Sequence, residues 1–330
     1  MKILIAGATG QLGYTICRKL SESNLDHTVI ATHRKSSDPN TLKKLHDVKT
    51  RLLDLNDPNT FGPALQQIDA VISTANTATP TQKSDSFKKV DEQGTIRLID
   101  AAKAANVKQF IYVSALPFAN GDETVPLSQA KRVVENHLKR SGLTYTIIQP
   151  TAFMEVYFPF YGSTVPLRGA EVNTVSRPFK FSNVFFAGIK NDIEQKGVFN
   201  VIGKGDRKNA FISIDNVADF CVAAIDNPKA QNQIIPIGGP EALTPLDVKQ
   251  IFGSLLNKPL KVKSTPPFII KLMSKILPLF NPAAGNIMAL NYAVANNDAI
   301  VPDMRKTAKD FGVDLISSRE FLQKKFALKA

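Results

Sequence analysis

Gly7-Ala8-Thr9-Gly10-Gln11-Leu12-Gly13 separates two apolar segments of different periodicity. Before it, Lys2-Ile3-Leu4-Ile5-Ala6 is a continuous apolar run that reads as a buried strand. After it, Tyr14-Thr15-Ile16-Cys17-Arg18-Lys19-Leu20 spaces its apolar residues as a helix does. A glycine turn from strand to helix offers backbone N–H groups and the positive end of a helix dipole to a small anion. Gly7 permits the tight turn, Gly10 lets a pyrophosphate approach the backbone, and Gly13 lets the helix pack closely on the strand. The spacing is G-x-x-G-x-x-G, not the commoner G-x-G-x-x-G; its weight comes from sitting at the first strand–helix junction. Thr9, Gln11 and Leu12 share the loop and are expected to line the phosphate site.

Working outward, strand-like runs alternate with helical patterns as far as residue 150. The strands are read as Lys2–Ala6, His27–Thr32, Val48–Leu53, Ala70–Thr74, Phe110–Ser114 and Tyr145–Gln149; the helices include Gln11–Glu22, Asp85–Ala105 and Leu127–Ser141. Such alternation predicts an α/β fold, a doubly wound parallel sheet with its ligand at the carboxyl ends of the strands. The suggestive polar residues of this half all follow strands. Arg34 and Lys35 follow the second, with no acidic residue before Asp38. They suit a ribose 2′-phosphate and favour NADP over NAD, the alternative being plain loop solvation. Asp54 and Leu55 could flank an adenine, or Asp54 could cap a turn. Ser73, Thr74 and Ala75 are small enough for backbone to lie against a ribose. Ser114 could bond substrate or cofactor, or close its strand as a turn cap.

The chain has 330 residues, enough for a large core and a second lobe. Hydrophobic residues make up 43% and charged residues 21%, ordinary values for a globular protein. No apolar run approaches the ~20 residues that cross a bilayer, and a strand beginning at residue 2 leaves no room for a leader, so a cytoplasmic location is expected. The formal charge of +12 is spread along the chain without a basic tail or aromatic–basic repeat, which reads as a solvated surface and not as a nucleic-acid site. Cys17 and Cys221 fall on helical patterns and read as buried thiols. The four histidines share no metal-ligand spacing, so no metal is expected.

Gly7–Gly13, Asp54-Leu55, Ser114, Lys131 and Ser141-Gly142-Leu143-Thr144-Tyr145-Thr146-Ile147-Ile148-Gln149-Pro150 together resemble an atypical short-chain dehydrogenase/reductase. The likeness is to the NmrA-like group, which includes isoflavone-reductase-type enzymes, quinone reductases, Ycf39-like proteins and divinyl chlorophyllide vinyl reductases. Ile235-Pro236-Ile237-Gly238-Gly239-Pro240-Glu241-Ala242-Leu243-Thr244-Pro245 resembles the last two in particular. The resemblance implies a Rossmann fold, NADP(H) and hydride transfer to a small acceptor. Typical members carry Tyr-x-x-x-Lys on the helix after the fifth strand. Lys131 fits the lysine, but Leu127 stands four residues before it, and leucine donates no proton. Either Lys131 takes over, as the likeness to isoflavone-reductase-type enzymes implies, or the chain binds cofactor without turnover as a sensor or assembly factor. In the related enzymes the segment holding Pro150, Thr151 and Phe153 contacts the nicotinamide side. The aromatic cluster that follows, with Tyr157 as a spare phenol, suits a flat apolar acceptor or a lobe core.

From about residue 156 the alternation loosens into a smaller, mostly helical substrate lobe, with segments near 198–237 expected to return to the main sheet. Val184–Gln195 reads as a helix, Gly197–Gly203 as a strand, Asp215 as a helix N-cap and Ile234–Ile237 as a late strand. Pro267–Phe280 is mostly apolar with Lys271 and Lys275; a lid or core helix is favoured over a membrane-surface segment. Phe321 and Leu322 suit a final amphipathic helix. The expected partners are a small, flat, apolar substrate and, open to test, a second copy of the chain.

Overall fold

Alternate residues of each central strand go to opposite faces of one sheet, as side chains of period two must. The computed structural model describes residues 1–23, 26–77, 86–169 and 187–328. Within them the main strands are β1 (Lys2–Ala6), β2 (Thr28–His33), β3 (Val48–Leu52), β4 (Ala70–Ser73), β5 (Gln109–Val113) and β6 (Thr144–Pro150). Later come β7 (Val198–Ile202), β8 (Gln233–Ile237) and β9 (Lys261–Thr265). The main sheet runs β3-β2-β1-β4-β5-β6-β8, every neighbouring pair parallel.

Ile3 and Ile5 enter one core with Ile16, Cys17 and Leu20 of α1 (Gln11–Glu22), and with Val217 and Phe220 of the helix Ile214–Ala223. Leu4 and Ala6 enter the other core. There they meet α2 (Phe61–Leu65), α3 (Thr95–Ala104) and α4 (Pro126–Arg140) through Phe61, Leu98, Ile99, Val134 and Leu138. Apolar strands sandwiched in this way gain about 25 cal/mol for each Å² removed from water, the main force holding the layers. The chain order reverses between β1 and β4, so the ligand crevice of this Rossmann-type sheet opens there.

A third apolar cluster belongs to the later half: Phe158, Tyr161, Phe199, Val201, Phe211, Phe252, Phe321 and Leu322. It corrects one expectation about the segments near 198–237. Only β8 joins the main sheet; β7 pairs with β9, because Phe199 and Val201 bury their side chains in this cluster. The helix Ile214–Ala223 is capped by Ser213, whose hydroxyl accepts from Asn216 N, and not by Asp215. Asp215 lies in its first turn and pairs with Arg18 and Lys19 of α1, at 3.1 and 3.3 Å. The expected helix Asp85–Ala105 is a π-helical segment, Phe87–Gly94, running into α3, and Asp85 lies outside the described residues. The first three residues of the expected helix Val184–Gln195 also lie outside them, and its end is a π-helical turn, Asp192–Lys196. The helix Pro267–Ile276 is no core helix, since Ile270 alone among its side chains is buried. Phe321 and Leu322 are buried in the final helix Ser318–Ala327.

Candidate functional site

The glycine loop shows in its backbone why other residues would not serve. Gly7 has φ +88°, and a Cβ there would stand 2.8 Å from Ala75 N and 3.0 Å from Thr74 Oγ1. The turns after β1 and β4 are therefore pressed together at the switch point of the sheet. A Cβ on Gly13 would meet the Gly7 carbonyl oxygen at 2.3 Å, so α1 begins directly against the loop. Gly10 N donates to Gly7 O, and Gly10 forms the N-cap of α1 with no side-chain cap and no acidic residue in the first turn. An uncapped, acid-free helix start suits a phosphate. Two buried polar atoms beside it, Gln11 Oε1 and Ser73 Oγ, have no hydrogen-bond partner among the described residues. The cradle fits a dinucleotide. Thr9 and Gln11 are half-buried in the loop, and Leu12 is buried. Thr74 N and Oγ1 both donate to Ala6 O, fixing the strand end next to Gly7.

Arg34 follows β2 directly and opens a turn closed by Ser37 N donating to its carbonyl; Lys35 is exposed. Asp54 makes a turn, its carboxylate accepting from Asn56 N and its own N–H donating to Thr60 Oγ1. Leu55 is buried against Gly94, where a Cβ would come within 2.7 Å of the Leu55 carbonyl oxygen.

At the carboxyl ends of β5 and β6 the structure gathers more charge than the sequence announces. Lys131, on the buried face of α4, is 5% exposed. Its Nζ donates to Val113 O at 2.9 Å and lies 4.7 Å from the centre of the Tyr112 ring. Burial pushes this amine down from 10.5 to about 8, against the pull of Asp91 and Glu135, which favour its charge. Asp91 lies in the π-helical segment, is 1% exposed, and accepts from Thr77 N at 3.0 Å and from the Thr77 hydroxyl. π-helical turns of this kind recur at functional sites. Glu135, one helical turn beyond Lys131, accepts through Oε1 from Ser114 Oγ, from Arg132 and from Gln149 Nε2, at 2.5, 2.6 and 2.9 Å. Arg132 also donates to Ala115 O and lies 3.3 Å from Asp122. Ser114 is therefore more than a turn cap: its proton is committed to a buried carboxylate. Asp91 and Glu135 escape a reading of the sequence alone. The only signal for Glu135 is its i+4 spacing from Lys131, which places both on one face.

The structure brings Lys131 and Ser114 together and leaves Tyr157 elsewhere. The Tyr157 ring stacks on Phe211 at 5.6 Å and meets Tyr161 edge-on at 5.5 Å, inside the aromatic cluster of the later half. Burial pushes its phenol well above the ordinary range. Pro150 ends β6, and its carbonyl accepts from Leu116 N. Thr151 is sealed, its N–H donating to Ile237 O and its hydroxyl to Ala210 O. Phe153 is half-buried, bridged to Ile212. Cys17 and Cys221 are buried free thiols. Among the described residues, no group of three or more His, Cys, Asp or Glu could hold a metal, and no helix is long and apolar enough to cross a membrane. A depression of about 520 Å³ lined by Met1, Lys2, Asp26, Gln67 and Asp69 opens at the amino ends of β1 and β4, the end away from the crevice.

The sequence profile of the NAD(P)H-binding family matches residues 7–178. The chain is 26% identical over 316 residues to the photosystem II assembly factor Ycf39 of Synechocystis sp., covering 95% of this chain and 86% of that relative. The fold matches the NADPH-dependent quinone oxidoreductase of Escherichia coli, solved with NADPH, at a TM-score of 0.71 and 20% identity, covering 98% of this chain and 99% of that one. It matches isoflavone reductase at a TM-score of 0.68 and 18% identity, covering 98% of each chain.

Proposed function

The chain belongs to the NAD(P)H-binding family, and from that premise we propose that it is an NADPH-dependent reductase of the atypical short-chain type. Its acceptor in this reading is a small, flat, apolar carbonyl, quinone or conjugated double bond. The cofactor, when bound, supplies the reducing equivalent. The chain supplies position, dryness and a proton. Gly7, Thr9, Gly10, Gln11, Leu12 and Gly13 hold the pyrophosphate, Arg34 and Lys35 meet the 2′-phosphate, and Asp54 and Leu55 flank the adenine. Ser73, Thr74 and Ala75 lie along the cofactor, and Pro150, Thr151 and Phe153 close the nicotinamide side.

One observation carries the reading: the buried Lys131 amine, held at the end of β5 and pushed down to about 8. An acid with a pKa near the working pH gives up and regains a proton most effectively. Ser114, whose hydroxyl donates to Glu135, orients this corner. Tyr157, with its raised phenol, is the weaker proton source. Purified protein with NADPH and a panel of quinones, enones and aldehydes, followed by nicotinamide absorbance, tests the activity. Lys131→Ala is expected to abolish turnover and to leave NADPH binding nearly intact; unchanged turnover would remove Lys131 from the mechanism.

A second reading is a non-catalytic NADP(H) sensor or assembly factor that docks on a protein partner. Leu127 in the tyrosine position favours it, as does the 26% identity to an assembly factor. Micromolar NADPH affinity with no oxidation by any acceptor would decide for it. A cytoplasmic location and a homodimer are compatible with either reading.

A further inference from the structure

We infer that the helix Pro267–Ile276 and the turn after it dock on an anionic lipid surface. Residues 248–297 contain six lysines (Lys249, Lys258, Lys261, Lys263, Lys271 and Lys275) and no aspartate, glutamate or arginine. In the middle of this stretch sits an apolar face that the described residues leave uncovered. Phe268 is 69% exposed, Leu272 54%, Leu279 79% and Phe280 82%, and Ile269, Met273 and Ile276 are exposed as well. At about 100° per residue, Phe268, Ile269, Leu272, Met273 and Ile276 share an arc of roughly 140°. Ile270 points the other way and is buried. The outward face is therefore a property of the helix as it is docked, since the helix is anchored by Ile270 and by Lys271, whose Nζ lies 5.6 Å over the Tyr292 ring of the helix Pro282–Asn296.

Charge decides what covers this face. A second copy of the chain would bring the exposed Lys261, Lys263, Lys271 and Lys275 against the same four lysines, with no carboxylate in either stretch to answer them. A bilayer with anionic headgroups answers both features at once: acyl chains take the phenylalanines and leucines, and lipid phosphates take Lys261, Lys263 and Lys275, all exposed. The helix has ten residues, a length of about 15 Å against a hydrocarbon core of about 30 Å, so it lies in the interface and does not cross it. The strand β9, immediately before the helix in the chain, is exposed at Lys261, Val262, Lys263 and Ser264. The inference does not rest on the reductase reading.

Flotation of the full chain with vesicles of phosphatidylcholine, alone or mixed with phosphatidylglycerol, tests it. The expected result is at least about tenfold more protein floating with the anionic vesicles, reversed by high salt. The triple variant Phe268→Ser/Leu279→Ser/Phe280→Ser changes only exposed side chains, so it is expected to unfold at the same temperature as the parent while losing flotation. Lys263→Glu/Lys275→Glu is expected to lose the preference for anionic lipid. Equal flotation with both vesicle types overturns the inference. So does no flotation at all, or a dimer that light scattering shows dispersed by the triple serine variant.

Discussion

Replacing Lys131 by methionine gives a stability change whose sign reverses with pH. The amine is 5% exposed and is pushed down from 10.5 to about 8 by desolvation. One pKa unit corresponds to about 1.4 kcal/mol, so holding this charge in the fold at neutral pH costs about 3 kcal/mol. Methionine is unbranched, one heavy atom shorter than lysine, and needs no such solvation. Against the gain stand the lost bond to Val113 O and the lost contact with the Tyr112 ring, roughly 1 kcal/mol each. Lys131→Met is therefore expected to stabilise the fold by about 1 kcal/mol near pH 7. Between about pH 8 and 10.5 the folded chain has released this proton and the unfolded chain still holds it, so parent stability rises with pH through that window. By about pH 9.5 the parent recovers roughly 2 kcal/mol and the variant becomes the less stable of the two. Urea unfolding of both proteins at the two pH values measures the difference, and other titrating groups cancel in it. A gap that is the same at both pH values would refute the account of Lys131 as a desolvated amine.

Gly13→Ala forces a Cβ to within 2.3 Å of the Gly7 carbonyl oxygen, backbone against backbone. It is expected to cost about 1–3 kcal/mol and to weaken NADPH binding at least about tenfold; unchanged affinity by fluorescence titration would refute the cradle. Arg34→Ala is expected to raise the NADPH dissociation constant roughly tenfold and leave that of NADH unchanged, and an equal loss for both would detach Arg34 from the 2′-phosphate. Glu155 is 3% exposed, accepts from Ile214 N at 3.0 Å, and is pushed up from 4.5 to about 7 by burial. The folded chain then keeps a proton that the unfolded chain has lost, so stability falls as pH rises from about 4.5 to about 7. Glu155→Gln is expected to remove that fall and to stabilise by about 2 kcal/mol near pH 8 but not near pH 4, as read by urea unfolding at both.

The first half of the fold is legible because its central strands are buried on both faces. Ile3-Leu4-Ile5-Ala6 and Phe110-Ile111-Tyr112-Val113 then have no polar alternation to be confused with a surface strand. Gly7 and Gly13 are legible for a related reason, since close backbone approach leaves glycine as the residue that fits. β9 is hidden, because Lys-Val-Lys-Ser-Thr is an exposed strand paired on one side and carries no burial signature. Asp215 attracts the cap assignment by residue type alone, whereas Ser213 sits where the backbone turns. Asp91 and Glu135 look like solvated helix acids until the packing of α4 and the π-helical segment against the strand ends turns them inward. A one-dimensional pattern registers which face of a helix is apolar, and it is blind to a carboxylate two of whose partners come from the ends of other strands.

Glu135 Oε1 receives one hydroxyl, one guanidinium and one amide, from the end of β5, from α4 and from β6. In evolutionary terms, positions 114, 132, 135 and 149 make one heritable unit: a change at any of them strands the polar groups of the others in a buried corner. Among descendants of this chain the four are expected to vary together or stay fixed. Leu127 takes no part in that network, so a tyrosine introduced there would be a single substitution that leaves the buried corner around Glu135 as it stands.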